Sequence, residues 1–368
     1  MNQTTKIYIA GHKGLVGSAI WHILERRGYS NLVGRTHSEL DLMDPVAVRD
    51  FFDTERPDVV VLAAALVGGI MANSTRPADF IYNNLQIQQN VIGEAYRHKV
   101  SKLLFLGSTC IYPRMAPQPM REECLLTSAL ESTNEPYAIS KIAGMKMCDA
   151  FNRQYGTNYI AVMPTNLYGP NDNFDLVGSH VLPAMLRKIF LAKCLMDNDE
   201  EAVRKDLARR PVQGITADTP FSEIVSILNS EFNIQQSKLT LWGTGTPLRE
   251  FLWSEDMAEA CVYMLENVDA VGGNLVSHTS KHTVPNTNFV NVGTGIEHTI
   301  SQVAQMVAEE VGYKGRIEFD PSKPDGTPRK LTDPSRLHSL GWHHSVELRE
   351  GIRRLYEWYR THLIKFKG

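Results

Sequence analysis

Residues 6–17 read KIYIAGHKGLVG, and this stretch decides the fold class. A short apolar strand pattern is followed by a helical pattern, with the glycine spacing G-x-x-G-x-x-G between them at Gly11, Gly14 and Gly17. Glycines at this spacing allow a tight turn, close approach of the backbone to a pyrophosphate and tight helix packing. The helix N-terminus then faces the phosphates. The stretch predicts dinucleotide binding and an α/β, Rossmann-type doubly wound parallel sheet.

The same interpretation places the ends of three strands against the cofactor. Apolar runs at 59–65 and 102–107 are typical of buried parallel strands, and ligands of open α/β sheets lie at the carboxyl ends of such strands. Small residues there let a cofactor ribose approach. The cofactor contacts expected from these three strand ends are Gly11, His12, Lys13, Gly14, Leu15, Val16, Gly17, Ala64, Leu106 and Gly107.

The end of the second strand indicates which dinucleotide binds. An NAD enzyme usually presents Asp or Glu there to hold the ribose hydroxyls, whereas this chain has Arg35, with His37 beside it. Lys13 adds another cation. These charges predict a 2′-phosphate and therefore NADP(H), the alternative being that they are solvated surface charges. Asp41 and Leu42 suit the adenine edge, because a carboxylate can accept a hydrogen bond from the exocyclic amine.

Residues 107–112, GSTCIY, precede a YAISK sequence at 137–141 and indicate the chemistry. Tyr137 and Lys141 are four apart on one helix face, so the ammonium is expected to lower the pKa of the phenol toward the operating pH. Ser108 would polarise the same carbonyl. Cys110 supplies an extra ionisable group, which suggests a second proton transfer and an epimerase that also reduces. A lone Y-x-x-x-K more often only packs, but the upstream glycine loop favours the catalytic interpretation.

Composition bounds the remaining possibilities. The chain has 368 residues, which is more than a single hydrophobic core usually accommodates, so one large domain with a smaller lobe, or two domains, are expected. A net charge of −3 argues against a nucleic-acid binder. No apolar run reaches membrane-spanning length and no signal peptide is recognisable, so a cytoplasmic location is expected. Five scattered cysteines without a C-x-x-C pair indicate neither a disulfide framework nor a metal site.

These motifs resemble those of the extended short-chain dehydrogenases/reductases that act on nucleotide sugars, in particular the branch of the GDP-L-fucose synthases. The resemblance covers nearly the whole chain and is carried by residues 64–70, 134–138, 163–174, 242–251 and 323–330. It implies NADPH-dependent 3,5-epimerisation and 4-keto reduction of GDP-4-keto-6-deoxy-D-mannose. It also implies a homodimer formed through a helix bundle around residues 137–155.

The resemblance also implies a division of labour at the substrate. Carbons 3 and 5 flank the ketone at carbon 4, so inversion needs a base on one face and an acid on the other. Cys110 matches the base of the family and His180 its acid. Tyr137 then protonates the oxygen during reduction, with Ser108 hydrogen-bonded to that oxygen and Lys141 on the cofactor ribose. Negative charge develops on one oxygen in both steps, so a single site serves both.

The remaining site residues also come from the resemblance. Residues 164–167, at the end of a strand, and His180 match further cofactor contacts of the family. Two cations, an aromatic ring, a carboxylate and Ser108 match its contacts to the GDP sugar. The cofactor set adds Pro164, Thr165, Asn166, Leu167 and His180; the substrate set is Ser108, Lys188, Trp242, Arg249 and Asp325.

The chain departs from the family at three places: His37 often corresponds to a second arginine, Leu66 often to a lysine, and residues 194–236 form an insertion. Residues 1–169 are expected to form the NADP-binding domain, joined by a returning segment near 286–300. Residues 170–368 are expected to form mainly the substrate-binding lobe.

Two helices are expected in the insertion. Residues 199–209 are a charged candidate. Thr219 followed by Pro220 indicates a helix start, after which Phe221, Ile224, Val225, Leu228 and Phe232 share one face. That face needs a partner, either its own lobe, which we expect, or another subunit.

Alternative functions keep part of this chemistry. The same reactions on another GDP-4-keto-deoxy sugar, such as formation of GDP-colitose, are one possibility. A non-catalytic NADP-binding protein is another, because fold does not determine function. Such proteins usually lose the tyrosine or the lysine, and both are present here. A dehydratase is disfavoured because Cys110 and Ile111 stand where it needs an acidic pair, and a 4-epimerase is disfavoured by Arg35.

Overall fold

The computed structural model describes residues 1–212, 214–323 and 325–364. Residue 213 of the insertion and residue 324 of the 323–330 stretch therefore lie outside the described residues.

The helices are α1 (Leu15–Arg26), α2 (Pro45–Glu55), α3 (Ile70–Thr75), α4 (Pro77–Arg97), α5 (Glu135–Tyr155), α6 (Val181–Met196), α7 (Glu200–Arg209), α8 (Phe221–Phe232), α9 (Ser254–Asn267), α10 (Ile300–Val311), α11 (Ser335–Leu340) and α12 (Leu348–Ile364). The strands are β1 (Ile7–Ala10), β2 (Leu32–Val33), β3 (Val59–Leu62), β4 (Lys102–Leu106), β5 (Tyr159–Pro164), β6 (Asn166–Tyr168), β7 (Lys238–Trp242), β8 (Leu248–Trp253), β9 (Val268–Val271), β10 (Asn274–Ser277), β11 (Thr283–Val284), β12 (Phe289–Val292), β13 (Glu297–Thr299), β14 (Arg316–Asp320) and β15 (Arg329–Lys330).

The chain divides into two compact units. Unit 1 comprises Met1–Leu167, Glu250–Ile296 and Lys330–Ser345, and unit 2 comprises Tyr168–Arg249, Glu297–Arg329 and the described residues from Val346 onward. The first segment of unit 1 ends at residue 167, close to the boundary at residue 169 expected from the sequence, but unit 1 also includes residues 250–285 and 330–345, which were expected in the substrate-binding lobe. The physical reason is α9, whose apolar side packs into the same core as α1 and the central strands.

Unit 1 is built on a six-stranded sheet in the order β12-β5-β4-β3-β1-β2. Every neighbouring pair of strands in it is parallel. The α/β doubly wound class predicted from residues 6–17 is confirmed. The returning strand expected near residue 290 is β12, which adds to the sheet beside β5.

Side chains of the sheet alternate between two helical layers, because successive residues of a strand point to opposite faces. Ile7 and Ile9 of β1 belong to the core that includes α1 and α9. Tyr8 and Ala10 belong to the core that includes α2, α4 and α5. Both faces of the strands are thus covered, which explains their uninterrupted apolar sequences.

The sheet order reverses beside β1, since β2 lies on one side of it and β3 on the other. Loops after these strands separate at such a switch point and leave a crevice for a ligand. The chain here runs through Gly11 after β1 and through Ala64 after β3. The topology therefore positions the glycine loop at the edge where ligands of this fold bind.

Unit 2 is built around α6, which is apolar on nearly all sides and buried along most of its length. Its two-stranded sheet pairs β7 with β14 in parallel. The insertion contributes α7 and α8, as expected from the sequence, with Ile224 and Leu228 fully buried within the chain's own fold. None of the helices in the described part of the chain combines the length and apolarity needed to cross a membrane.

A buried ionic cluster ties the insertion to the rest of unit 2. Arg187 of α6 donates two hydrogen bonds, of 2.9 and 2.8 Å, to Asp206 of α7. The Tyr359 hydroxyl of α12 donates to the other carboxylate oxygen of Asp206. Arg187 and Asp206 are both essentially inaccessible to solvent. Because the pair is buried and hydrogen-bonded on all sides, its two charges depend on each other.

Removing one partner of this cluster is expected to destabilise the protein strongly. Asp206→Ala leaves the Arg187 guanidinium buried without a counter-ion, which costs about 3–5 kcal/mol of unfolding free energy. Urea denaturation followed by tryptophan fluorescence measures this change. Glu201→Gln is the control on the same helix, because its ion pair with Lys205 is solvent-exposed and should leave the midpoint unchanged. Equal midpoints for Asp206→Ala and the wild type would contradict the assigned role of the cluster.

Candidate functional site

The glycine loop is packed too tightly for side chains at two positions. Gly11 has φ of +86°, and a Cβ there would lie 2.9 Å from the Ala64 nitrogen. A Cβ at Gly17 would lie 2.1 Å from the Gly11 oxygen. The ring nitrogen Nδ1 of His12 is buried, and the described residues supply it with no hydrogen-bond partner. A narrow backbone turn with an unsatisfied polar atom fits the binding of a dinucleotide, as predicted for residues 11–17.

Arg35 is held by a carboxylate that the sequence interpretation did not include. Its guanidinium donates to Glu55 Oε1 at 2.5 Å and to the carbonyl of Gly34 at 2.9 Å, and it lies over the ring of Phe51. Glu55 also accepts from Lys6. Arg35 is thereby oriented, but a bound phosphate would share it with Glu55.

The residues expected near the adenine are partly engaged within the chain. The exposed Asp41 accepts a hydrogen bond of 2.9 Å from the amide of Met43, which leaves its second oxygen available. The carbonyl of Leu42 accepts from Asn90 at 2.8 Å. Their role toward adenine stays a prediction.

Ser108 and Cys110 lie directly after β4, where a short 3-10 turn at Thr109–Ile111 begins. The Ser108 hydroxyl caps this turn by accepting from the amide of Cys110 at 3.2 Å. The turn brings the Cys110 sulfur close to α5, where Asn134 Nδ2 donates to it at 3.4 Å. Lys330 Nζ donates to the same sulfur, also at 3.4 Å.

The surroundings of Cys110 favour its ionised form. Burial raises the pKa of the thiol, but the positive charge of Lys330 and hydrogen bonds with Ser108, Lys330 and Asn134 lower it more, and the net pKa lies below the ordinary value. By contrast, burial raises the pKa of Cys148 and Cys261. Since the thiolate is the reactive base, Cys110 differs from the inert cysteines of the core in the property that proton abstraction needs.

Tyr137 and Lys141 lie on α5 as expected, but the pKa expected for the phenol is wrong for this structure. Burial and the nearby Cys110 raise the pKa of Tyr137 above its usual range, while a hydrogen bond with Ser108 lowers it less. Lys141 Nζ donates instead to the carbonyl of Leu106 at 2.8 Å and is 5.8 Å from the centroid of the Tyr137 ring. Burial lowers the pKa of Lys141 to about 8. Tyr137 is therefore held as a neutral acid, able to donate its proton.

The 164–167 segment is anchored to β12 and β8. The amide of Thr165 donates to the carbonyl of Val292, and Asn166 Nδ2 donates at 2.8 Å to the carbonyl of Glu250. The fully buried carboxylate of Glu250 accepts from the amides of Thr294 and Thr332. Pro164, Thr165, Asn166 and Leu167 thus follow a fixed path at the carboxyl end of β5, where their proposed cofactor contacts would lie.

The four residues expected to bind the substrate, Lys188, Trp242, Arg249 and Asp325, all belong to unit 2. Lys188 Nζ lies 5.6 Å from the centroid of the Trp242 ring. Burial lowers the pKa of Lys188 and Arg249, with Asp325 acting in the opposite direction on Arg249. Asp325 accepts two hydrogen bonds from Thr244. Lys188 with Trp242 and Arg249 with Asp325 are thus two neighbouring pairs of side chains, and two cations, an aromatic ring and a carboxylate suit a nucleoside diphosphate.

His180 is the N-cap residue of α6 in unit 2, and it is exposed. Ser108, Cys110, Tyr137 and Lys141 belong to unit 1. The role of His180 as an acid opposite Cys110 stays a prediction.

Two residues beside Cys110 received no role from the sequence. Asn134 precedes α5, and Lys330 is 220 residues from the cysteine along the chain. Both stand inside stretches that carry the family resemblance, at 134–138 and 323–330, which was the available signal. Only the fold shows that both are directed at one sulfur.

Comparison with known proteins identifies the family. The model of the NAD dependent epimerase/dehydratase family matches residues 7–208 and 220–277. The chain belongs to the NAD dependent epimerase/dehydratase family. This confirms the family resemblance stated from the sequence.

Individual members of this family are similar over full length. The chain is 48% identical over 363 residues to the GDP-L-fucose synthase of Escherichia coli K12, covering 99% of both chains. It is 31% identical over 355 residues to the GDP-L-colitose synthase of Yersinia pseudotuberculosis, covering 96% of this chain and 97% of the other. Among solved structures it is similar to MlghC, the GDP-mannoheptose C4 reductase of Campylobacter jejuni with NADP bound, with 41% identity, a TM-score of 0.84, and 98% and 99% of the two chains covered.

Proposed function

We propose that this protein is an NADPH-dependent enzyme that epimerises carbons 3 and 5 of GDP-4-keto-6-deoxy-D-mannose and reduces its 4-ketone, forming GDP-L-fucose. The observation that carries the proposal is the Cys110 site, where a thiol with a lowered pKa lies beside Ser108 and interacts electrostatically with Tyr137 and Lys141. A reductase alone needs only the last three. Full-length similarity to a GDP-L-fucose synthase supports the same assignment.

The chain's own residues account for each proton. The Cys110 thiolate removes a proton from carbon 3 or carbon 5, forming S–H and an enolate whose oxygen is hydrogen-bonded by Ser108 and Tyr137. His180 returns a proton to the opposite face, which inverts the centre. NADPH supplies the hydride for carbon 4, and Tyr137 protonates the resulting alkoxide. A phenol with a raised pKa suits this last step, because it stays protonated until the alkoxide forms.

The cofactor and the nucleotide occupy separate groups of side chains in this proposal. The 11–17 loop, with Lys13 and Arg35, would hold the pyrophosphate and the 2′-phosphate of NADP. Lys188 and Arg249 would hold the GDP pyrophosphate, with Trp242 and Asp325 on the sugar or the guanine. Lys188 is buried and Arg249 is half-buried, and this lower exposure strengthens their attraction to phosphate relative to that of exposed cations.

A second candidate is the same or partial chemistry on another GDP-4-keto sugar. Similarity to a GDP-L-colitose synthase and to a GDP-mannoheptose C4 reductase supports it. The deciding experiment incubates the purified protein with NADPH and each 4-keto sugar nucleotide in D2O and analyses the products by mass spectrometry. GDP-L-fucose carrying deuterium at carbons 3 and 5 supports the proposal. Reduction without deuterium incorporation would identify a plain reductase instead.

Substitution of Arg35 should change the choice of cofactor. Arg35→Ala removes charged hydrogen bonds worth about 1.5–3 kcal/mol, so the KM for NADPH is expected to rise roughly tenfold to a hundredfold while the KM for NADH stays the same. Steady-state kinetics with both cofactors measures this. Glu55→Gln is the informative companion, because it frees Arg35 from its carboxylate and should lower the KM for NADPH. Equal effects of Arg35→Ala on both cofactors would contradict the assignment.

We also propose a homodimer through α4 and α5, in the cytoplasm. Both helices expose large apolar side chains, Tyr82 and Tyr96 on α4 and Ile139 and Tyr155 on α5. Such a patch favours association. A site that depends on a free thiol suits a reducing compartment. Light scattering coupled to size-exclusion chromatography tests the dimer, and Ile139→Asp should shift it toward the monomer.

A further inference from the structure

The sulfur of Cys110 has a cationic partner that belongs neither to the Ser-Tyr-Lys motif nor to the side chains proposed for the GDP sugar. We propose that Lys330 is a positioning residue for epimerisation, whose ammonium holds Cys110 as the thiolate that removes the proton from carbons 3 and 5. This rests on the proposed role of Cys110 as the base. It assigns a dedicated function to a lysine that the reduction does not use.

The geometry aims this lysine at the sulfur. Lys330 Nζ donates to Cys110 Sγ at 3.4 Å, and among the described residues no carboxylate forms an ion pair with Lys330. Two other lysines of unit 1 that are half-buried or buried pair with carboxylates, Lys6 with Glu55 and Lys102 with Asp269. The buried Lys141 donates instead to the carbonyl of Leu106. A half-buried ammonium whose partner is a thiol gains most when that thiol is ionised.

The backbone that carries Lys330 is firmly held within unit 1. The amide of the next residue, Leu331, donates to Gln118 at 2.8 Å, and the carbonyl of Leu331 accepts from Met120. The following amide, of Thr332, donates to the buried carboxylate of Glu250. Consecutive residues are thus tied to different parts of the fold. The backbone next to Lys330 is therefore fixed, and a fixed backbone is needed if the ammonium is to position the Cys110 sulfur.

The other titratable groups around the Cys110 sulfur cannot take over the role proposed for the Lys330 ammonium. Tyr137 and Lys141 face Cys110 from α5, and Asn134 donates a neutral hydrogen bond. The phenol is neutral, and Lys141 donates to Leu106 and is the residue proposed for the cofactor ribose. Lys330 is therefore the cation that remains beside the sulfur whatever Lys141 binds.

The proton balance of the step is simple. The C–H bond at carbon 3 or 5 breaks, its proton forms S–H on Cys110, and the electron pair moves to the enolate oxygen. Protonation from the opposite face completes inversion, and the cysteine then returns its proton to solvent. Lys330 stays an ammonium throughout. It acts by shifting the thiol equilibrium, so its loss should impair proton exchange and spare hydride transfer.

The first test measures the thiol directly. The rate of Cys110 alkylation by iodoacetamide is followed against pH by mass spectrometry of the Cys110 peptide, in the wild type, Lys330→Met and Lys330→Arg. We expect the midpoint to move upward by about one pH unit or more in Lys330→Met, since one unit is a tenfold change in the ionisation equilibrium. Lys330→Arg retains a cation and should restore most of the wild-type midpoint. Lys314→Met, an exposed lysine elsewhere, is the matched control and should change nothing.

The second test separates the two half-reactions. Lys330→Met should slow deuterium incorporation into the substrate at pH 7 by about tenfold, matching the expected thiolate fraction, with recovery at higher pH. Its NADPH-dependent reduction of the already epimerised keto sugar should be unchanged. That retained reduction also shows that the variant is folded.

The outcomes distinguish the two proposals. Unchanged alkylation midpoints in Lys330→Met, or an exchange defect that high pH does not restore, would overturn the inference about Lys330. Absence of exchange in the wild type would instead overturn the proposed function. The alkylation profile would then still report on the Lys330–Cys110 pair.

Discussion

Cys110→Ser is expected to abolish most proton exchange at carbons 3 and 5 while leaving cofactor binding intact. A hydroxyl is far less acidic than this thiol and cannot serve as the base, so exchange should fall by about 10²–10⁴-fold, the range of general base catalysis. Deuterium incorporation from D2O, with and without NADPH, measures the loss. Reduction of the epimerised keto sugar should proceed at a rate close to that of the wild type.

Cys124→Ser is the matched control for this prediction. Cys124 is also half-buried in unit 1 but is absent from the group of side chains around Ser108. Its substitution should leave both half-reactions unchanged. If Cys110→Ser exchanged protons as fast as the wild type, the thiol would not be the base, and the 3,5-epimerisation assigned to this chain would lose its chemical support.

Tyr137→Phe is expected to have the complementary effect. Loss of the phenolic proton should slow the reduction of the epimerised sugar by about 10²–10⁴-fold, because no other group that donates to the ketone oxygen is a comparable acid. Ser108 still polarises the carbonyl, so exchange should fall less than reduction. Single-turnover oxidation of NADPH, followed by its absorbance, measures the hydride step apart from product release.

The control for Tyr137→Phe is Tyr159→Phe, because the hydroxyl of this tyrosine of β5 has no hydrogen-bond partner among the described residues and its loss should have no effect on either step. The two catalytic variants also test each other. If Cys110→Ser and Tyr137→Phe lowered exchange and reduction to the same extent, the division of labour between the sulfur and the phenol would be contradicted.

The central sheet and its ligand edge could be predicted from local sequence alone. Residues 7–10, 59–62 and 102–106 are short and almost uninterruptedly apolar, because parallel strands are buried on both faces. The glycine spacing of the 11–17 loop is the sequence signature of a turn in which the backbone approaches a dinucleotide and the following helix closely. The apolar runs and the glycine spacing each lie within a few consecutive residues, so they can be recognised without knowledge of the fold. The insertion helices were predictable for the same reason, from a cap and an apolar stripe.

The electrostatics of the site were less accessible to the sequence. The spacing of Tyr137 and Lys141 suggested that the ammonium would lower the pKa of the phenol, and the structure reverses that direction. Burial dominates for both groups, and Lys141 is bound to the carbonyl of Leu106. Similarly, Arg35 is shared with Glu55, a residue on another element. Charge interactions depend on distance and solvent exposure, and neither can be obtained from spacing along the chain.

The sequence by itself determined the α/β class, the glycine loop, and the presence of a thiol, a serine and a Tyr-x-x-x-Lys pair. Each of these signals lies within a short stretch of the chain, at residues 6–17, 107–112 and 137–141. Tertiary structure alone decided which charges meet, namely that Lys330 reaches Cys110 across 220 residues and that Asp206 neutralises Arg187. It also decided that the return to the first unit begins at residue 250, well before the segment near 286–300 expected from the sequence. The reason is physical. Backbone preferences and apolar periodicity act over a few residues, whereas a pKa is set by whatever side chains the completed fold places within a few ångströms.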